Sequence, residues 1–324
     1  SMATYKGIQG YTVQKLADDP TAAEAVGQLW YNSTTGKFKI GTESAGAWAT
    51  GGNLNTARRG IMGIGSQTAA LGCGGVLMTN IVEAYNGAAW TEVGDMGSAR
   101  YQACPAGTQT AGLIAGGYNH VDARMDITEL YNGSTWTEVA DLNTGRRMMA
   151  QSVGIQTAAL CVSGGTPSFP NVESFNGTSW TEIADVNTAR TNVGGSGITT
   201  AALMFGGGPP ALPTTSATES WNGTSWTEVN NLNTARELAG SAFQGTTTSS
   251  LYFGGEPARA VTEKWDGTSW TEVADLANGR HDCGGAGTAS AGLCFGGLPP
   301  TPPNSNATEE WTDPVYAAKT VTVS

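Results

Sequence analysis

The sequence predicts an all-β fold, a six-bladed β-propeller built from four-stranded antiparallel blades, and three observations predict it. One phrase occurs six times: a Trp, a loop ending in Arg, a stretch of small residues, an apolar run closed by Gly-Gly, then Glu-x-aromatic. The second Gly of each pair falls at Gly75, Gly117, Gly165, Gly207, Gly255 and Gly297, so the intervals alternate between 42 and 48 and the true period is a double blade of 90 residues. Composition agrees: 46 Gly and only 13% charged residues in 324 do not describe a helical bundle.

Each repeat reads as four strands. Arg58, Arg100, Arg146, Arg190, Arg236 and Arg280 open the innermost strand. Apolar runs such as Ala202-Leu203-Met204-Phe205, ended by Gly206-Gly207, read as a fully buried second strand. The third carries Glu83, Glu129, Glu173, Glu219, Glu263 or Glu309, and the Trp-Thr-Glu segment is the outer fourth. Asn-Gly between Tyr131 and Trp136 is a hairpin-turn signal, so Asn132, Asn176 and Asn222 in their Asn-x-Ser/Thr triplets read as turn chemistry. Four short strands cannot bury both faces of one small sheet, and radial stacking of the copies solves that.

The last block, ending at Trp311, lacks a Trp-Thr-Glu strand of its own, so the strand around Trp48 is expected to complete it and close the ring. Tyr316 stands 46 residues after Trp270, which makes the tail a rival for that place. Residues 46–324 are thus assigned to the propeller. Residues 1–45 do not repeat and read as an extension with a helical turn after Asp19-Pro20 and a hairpin tipped by Ser33-Thr34-Thr35-Gly36. It serves either as a clamp or as an attachment or oligomerisation arm.

With Gly-Gly, Glu-x-aromatic and Trp recurring from 48 to 311, the chain resembles the kelch repeat. The phrases Trp-Thr-Glu-Val, Asn-Thr-Ala-Arg and Thr-Ala-Ala-Leu, with Gly27-Gln28-Leu29-Trp30-Tyr31-Asn32, further resemble kelch-like structural proteins of marine tailed phages. That resemblance implies a non-catalytic virion component, a tail-fibre or host-surface-binding protein, with a host glycan or other virion proteins as partners. Two other classes stay open: a carbohydrate-active enzyme or lectin working at the central channel, and an intracellular protein-interaction adaptor.

Charge and motifs narrow the chemistry. A net charge of −11 repels phosphate backbones, so nucleic acid is a poor ligand. No apolar run reaches membrane-span length and no secretion signal is visible; Ser1-Met2 reads as a cleavage scar before a native start. Only His120 and His281 occur, and nothing matches the copper site of galactose-oxidase-like kelch enzymes, so no cofactor, metal or catalytic residue is assigned. His120, Asp122 and Asp126 are the one loop set that could take a cation. Gly194-Gly195-Ser196-Gly197 lacks the following helix and Lys of a phosphate cradle. The five Cys, with no C-x-x-C, read as small buried thiols.

The recurring Arg and Glu are read as a ring of structural ion pairs, with capture of an anion by Arg at the channel mouth as the alternative. The recurring Trp read as inter-blade packing rather than a carbohydrate platform. Recognition is assigned to the three long, dissimilar loops 118–128, 208–218 and 298–308, which are 90 residues apart. Their candidate residues are Tyr118, Asn119, His120, Asp122, Arg124 and Asp126 in the first, Leu212 and Thr214 in the second, and Asn304 and Asn306 in the third.

Overall fold

The computed structural model describes residues 13–20, 25–76, 79–119, 124–147, 153–165, 167–208 and 213–322. The chain forms seven four-stranded sheets where the repeats alone predict six, and it divides into two compact units.

The first unit is Ser1–Gly46 with Asp313–Ser324. Its sheet runs Gln14–Leu16, Leu29–Asn32, Lys37–Glu43, Tyr316–Thr320, the first pair parallel and the others antiparallel. This is the seventh sheet. The expected hairpin is present in residues 1–45, and it gains a strand on either side that the sequence reading did not include. The sheet also corrects the place of the tail: residues 313–324, assigned above to the propeller, pair Tyr316 with Glu43 and Thr320 with Lys39. Trp30 is its buried anchor, 2% exposed, and its indole N–H donates to Asp19 Oδ1 at 3.0 Å. Asn32 donates to the same oxygen at 2.6 Å and Lys39 lies 3.5 Å from the other, so the Asp19 carboxyl is held below its ordinary value, first by Asn32. The helical turn expected after Pro20 falls on residues 21–24, outside the described residues.

The second unit is Ala47–Thr312, with six wholly antiparallel sheets. The first contains Met62–Ser66, Ala69–Cys73, Val82–Tyr85 and Trp90–Glu92, in chain order from one edge to the other. The next four occupy 104–139, 153–183, 194–229 and 240–273 in the same arrangement. The sixth joins Gly284–Thr288, Ala291–Phe295 and Thr308–Thr312 to Ala47–Thr50, with Trp311 opposite Trp48. The Trp48 strand, not the tail, is its fourth member.

Side-chain chemistry explains the elements. Between the third and fourth strands the Asn132 side-chain oxygen accepts the N–H groups of Ser134 and Thr135, an Asx turn that aligns Tyr131 with Trp136. Innermost strands are glycine-rich because they meet backbone to backbone: a Cβ on Gly63 would stand 2.1 Å from the Gly285 carbonyl oxygen of the sixth sheet. Outer strands end the sheets on exposed Glu92, Glu138, Glu182, Glu228 and Glu272, which discourage edge-to-edge pairing.

Two links recur between consecutive sheets, and each also joins the sixth to the first. An amide of the Gly pair donates to the Arg carbonyl of the next sheet: Gly75 to Arg100 at 3.1 Å, Gly207 to Arg236 at 2.9 Å, and Gly297 to Arg58 at 2.9 Å. In the first sheet a Cβ on Gly74 (φ +59°) would lie 2.2 Å from the Arg100 oxygen, whereas in the third sheet Ser163 holds the same place at φ 56° and its hydroxyl donates to the Arg190 oxygen at 2.7 Å. The outer Trp donates its indole N–H to a Thr hydroxyl of the preceding sheet: Trp180 to Thr128 at 2.9 Å, Trp270 to Thr218 at 3.1 Å, and Trp90 to Thr308 at 3.0 Å. A disulfide between Cys104 and Cys161 adds a covalent link between the second and third sheets. That corrects the reading of five thiols; Cys73, Cys283 and Cys294 are free and buried.

Candidate functional site

The site is built outward from the recurring arginines. Each lies just ahead of an innermost strand, and its guanidinium reaches under its own sheet to the Glu of the third strand. Arg58 pairs with Glu83 at 2.6 Å and Arg190 with Glu219 at 2.8 Å, while Arg100, Arg146, Arg236 and Arg280 pair with Glu129, Glu173, Glu263 and Glu309. The second carboxylate oxygen accepts the backbone N–H three residues before the Arg, from Asn55 at 2.7 Å in the first sheet to Ala277 at 2.7 Å in the sixth. Further guanidinium N–H groups donate to main-chain carbonyls, as from Arg190 to Gly206 at 2.8 Å and Ala217 at 2.7 Å, while Nε of Arg58, Arg100, Arg190 and Arg236 is buried without a partner.

These six Arg are no more than 1% exposed. They do not form an anion-capturing channel mouth, which corrects that alternative. Burial pulls the guanidinium pKa of Arg100, Arg146 and Arg190 below its ordinary value, and the paired Glu opposes the shift. Their work is to anchor the chain on either side.

What they anchor is more varied. Two residues after the Arg, Gln102, Asn192, Leu238 and Asp282 adopt φ of 51°, 56°, 55° and 53°, a left-handed conformation that non-glycine residues seldom take, and Gly60 at 65° joins them. Their amides form a chain of hydrogen bonds from sheet to sheet: Gln102 N–H to Gly60 O at 3.4 Å, Gly60 to Asp282 at 2.8 Å, Asp282 to Leu238 at 2.7 Å, and Leu238 to Asn192 at 3.2 Å. The equivalent residue of the third sheet, Met148, is outside the described residues. Four side chains and the Gly60 backbone, from five sheets, therefore converge on one open depression lined by Gly60, Gln102, Asn192, Leu238, Asp282 and the strand starts beneath them.

The residues directly after the Arg, which are Arg59, Tyr101, Arg147, Thr191, Glu237 and His281, are half-buried and do not themselves line the depression. Gln102 Nε2 approaches Asp282 Oδ1 at 3.4 Å, Asn192 donates to Glu237 Oε2 at 2.9 Å, and His281 Nδ1 lies 3.2 Å from Glu256 Oε2 and 3.6 Å from Asp282 Oδ2. The His281 pKa is raised, chiefly by the neighbouring Asp282 carboxylate, against the effect of burial. Arg147 rests over the Tyr118 ring at 4.7 Å, and Tyr118 meets Tyr101 edge-on at 5.2 Å.

The long loops begin at this rim. Tyr118, Gly208 and Leu298 bridge to Tyr101, Thr191 and His281, three pairs spaced by 90 residues. Of the loop residues chosen from sequence, Tyr118 and Asn119 are half-buried there, whereas Arg124 and Asp126 are exposed near the start of the third strand. Asn306 is structural: its backbone carbonyl accepts the Leu54 N–H at 2.9 Å. Thr214 and Asn304 are half-buried, and His120, Asp122 and Leu212 lie outside the described residues. Sequence reasoning missed the pairs after each Arg. The available signal was contrast: Arg-Arg-Gly, Arg-Tyr-Gln, Arg-Thr-Asn, Arg-Glu-Leu and Arg-His-Asp differ completely behind one constant residue.

No protein family and no curated protein matches this chain. In fold, 431 solved chains are similar, so the fold alone selects no function. One is the structure of YjhT, with a TM-score of 0.68 at 12% identity over 82% of this chain and 99% of that one. Similarity at that identity concerns the fold only, and the repeated four-stranded sheets are consistent with a β-propeller.

Proposed function

We propose that Ala47–Thr312 is a closed six-bladed propeller of kelch-like repeats and that the protein is a non-catalytic recognition component of a phage particle, such as a tail-fibre or other host-facing part. The links from the sixth sheet back to the first, Gly297 to Arg58, Trp90 to Thr308 and Gly60 to Asp282, support the closed form. One observation carries the functional reading: the constant Arg and Glu are buried in pairs, while the residues that differ between repeats surround one depression beside the long loops. A rigid scaffold that displays dissimilar residues on one face is suited to recognition.

The partner of that face is a surface glycan of the host, with other virion proteins holding the opposite parts of the molecule. Charge supports this choice over nucleic acid, since the whole net charge of −11 resides in residues 47–312. The lectin reading shares this face and places the sugar over the depression. Catalysis is not part of the proposal, because the polar groups there are tied to one another in side-chain pairs.

Glycan-array and host-cell binding test it, repeated after loop 118–128 is exchanged for a seven-residue loop of the short kind. Loss of binding on exchange is the expected result. Absence of the protein from purified particles, or sugar release in a reducing-end assay, overturns the reading.

A further inference from the structure

The Cys104–Cys161 bridge occupies a position that recurs at the junction of the fifth and sixth sheets. Cys161 stands opposite Glu173 and Cys294 opposite Glu309, so the two hold the same place in the third and sixth sheets. Cys104 follows Arg100 by four residues, and the fourth residue after Arg236 is Gly240, which offers no sulfur to Cys294. A sulfur arrives there from another direction. A Cβ on Gly240 would lie 3.1 Å from Sγ of Cys283, so this thiol fills the volume that a side chain at 240 would take. Gly285 stands opposite Cys294 in the sixth sheet, and Cys283, two residues earlier, falls on the same face. The two thiols share one buried cluster and hydrogen-bond to each other. They differ in access: Cys294 is fully buried, whereas Cys283 lines the open depression.

We propose that Cys283 and Cys294 are a modification site, a dithiol that a small hydroperoxide such as hydrogen peroxide oxidises to a disulfide. This goes beyond the recognition reading and does not depend on it. The Cys283 thiolate attacks one peroxide oxygen, the O–O bond breaks, and the departing hydroxide takes up the thiol proton as water, leaving Cys283 as a sulfenic acid. The Cys294 thiolate then attacks that sulfur, the S–O bond breaks, and a second water carries off the Cys294 proton. Two thiols and one hydrogen peroxide thus give one disulfide and two waters. A small oxidant is required because Cys283 is only 5% exposed, at the floor of the depression. Cys73 is fully buried in a different cluster and does not line the depression, which makes it an internal control.

Peptide mapping of the full chain tests this. Trypsin leaves both thiols in one peptide, 281–319, and Cys73 in another, 60–100. The folded protein is treated with hydrogen peroxide, then with iodoacetamide in denaturant without reductant. The 281–319 peptide is expected to lose two hydrogen atoms and take up no label, while Cys73 is labelled. The same state found before peroxide is added supports the site equally. After the same treatment Cys283→Ser is expected to leave Cys294 labelled, and Cys294→Ser to leave Cys283 as a sulfenic acid that dimedone traps. Labelling of both Cys283 and Cys294 in peroxide-treated wild type, or loss of the Cys73 thiol at the same rate as theirs, overturns the proposal.

Discussion

Trp226 and Val172 share one buried cluster, and the Trp226 indole N–H there has no hydrogen-bond partner. Val172 occupies the place that Thr128, Thr218, Thr262 and Thr308 hold in their sheets, where the hydroxyl accepts from a Trp of the following sheet at 2.9 to 3.1 Å. Val172→Thr should therefore stabilise the protein by about 0.5–1.5 kcal/mol, and Thr128→Val should destabilise it by about 1–3 kcal/mol by orphaning Trp180. Urea unfolding of both variants checks the pair of signs; a loss of stability in Val172→Thr would show that the hydroxyl finds no indole.

The Arg190–Glu219 pair is buried on both sides, at 0% and 1% exposure. Glu219→Gln leaves a charged guanidinium uncompensated and should cost about 3–5 kcal/mol, whereas Arg190→Met combined with Glu219→Gln should cost less than either change alone. A double-mutant cycle measures that coupling. Additive losses would mean that the pair acts only through its separate contacts with the main chain.

The Cys104–Cys161 bridge spans 57 residues and two sheets. In the chain-entropy account a loop of that length gives about 4 kcal/mol, which reductant or Cys104→Ser should remove. Peptide mapping without reduction should recover the two cysteines in one linked fragment. Their recovery as separate alkylated peptides would refute the bridge.

His281 faces Asp282, Glu256 and Cys283, and its folded pKa is raised from 6.5, first by the Asp282 carboxylate. A raised folded pKa means that the protonated form is favoured in the native state. The resulting stability is present below about pH 6.5 and is lost as pH rises through the folded value. Wild type should thus exceed His281→Gln in stability at mildly acidic pH, and the difference should shrink toward alkaline pH. A difference that grows with pH would contradict this sign.

Cys283 lines the depression and is 5% exposed. Its hydrogen bond with Cys294 draws its pKa below the ordinary thiol value, against burial, while burial pushes Cys294 and Cys73 up. Iodoacetamide should modify Cys283 before the other two free thiols in the native protein. Prior labelling of Cys73 in a mass-resolved time course would reverse that order.

The repeated residues were readable in the chain because their partners are local and recur. Arg190 and Glu219 lie 29 residues apart in one sheet, and the same distance separates Arg100 from Glu129. Tyr316 misleads for the opposite reason: its spacing from Trp270 imitates the period, but the Trp48 strand already fills the place beside Thr308–Thr312, and the tail pairs with Lys37–Glu43 instead. The depression was hidden as well. Gln102 and Asp282 are 180 residues apart and meet across Gly60, which has no side chain to separate them.

The sequence by itself determined the strands of the six repeats, their turns and that the recurring Arg and Glu pair, though not whether they do so within one sheet or between sheets, since hydrophobic run, Asx turn and charge pairing act over a few tens of residues. Tertiary structure decided which cysteines join, which sheet takes the tail, and that the residues behind the buried arginines converge. Those outcomes depend on contacts between sheets, and no local interaction along the chain encodes which distant backbone will arrive beside another.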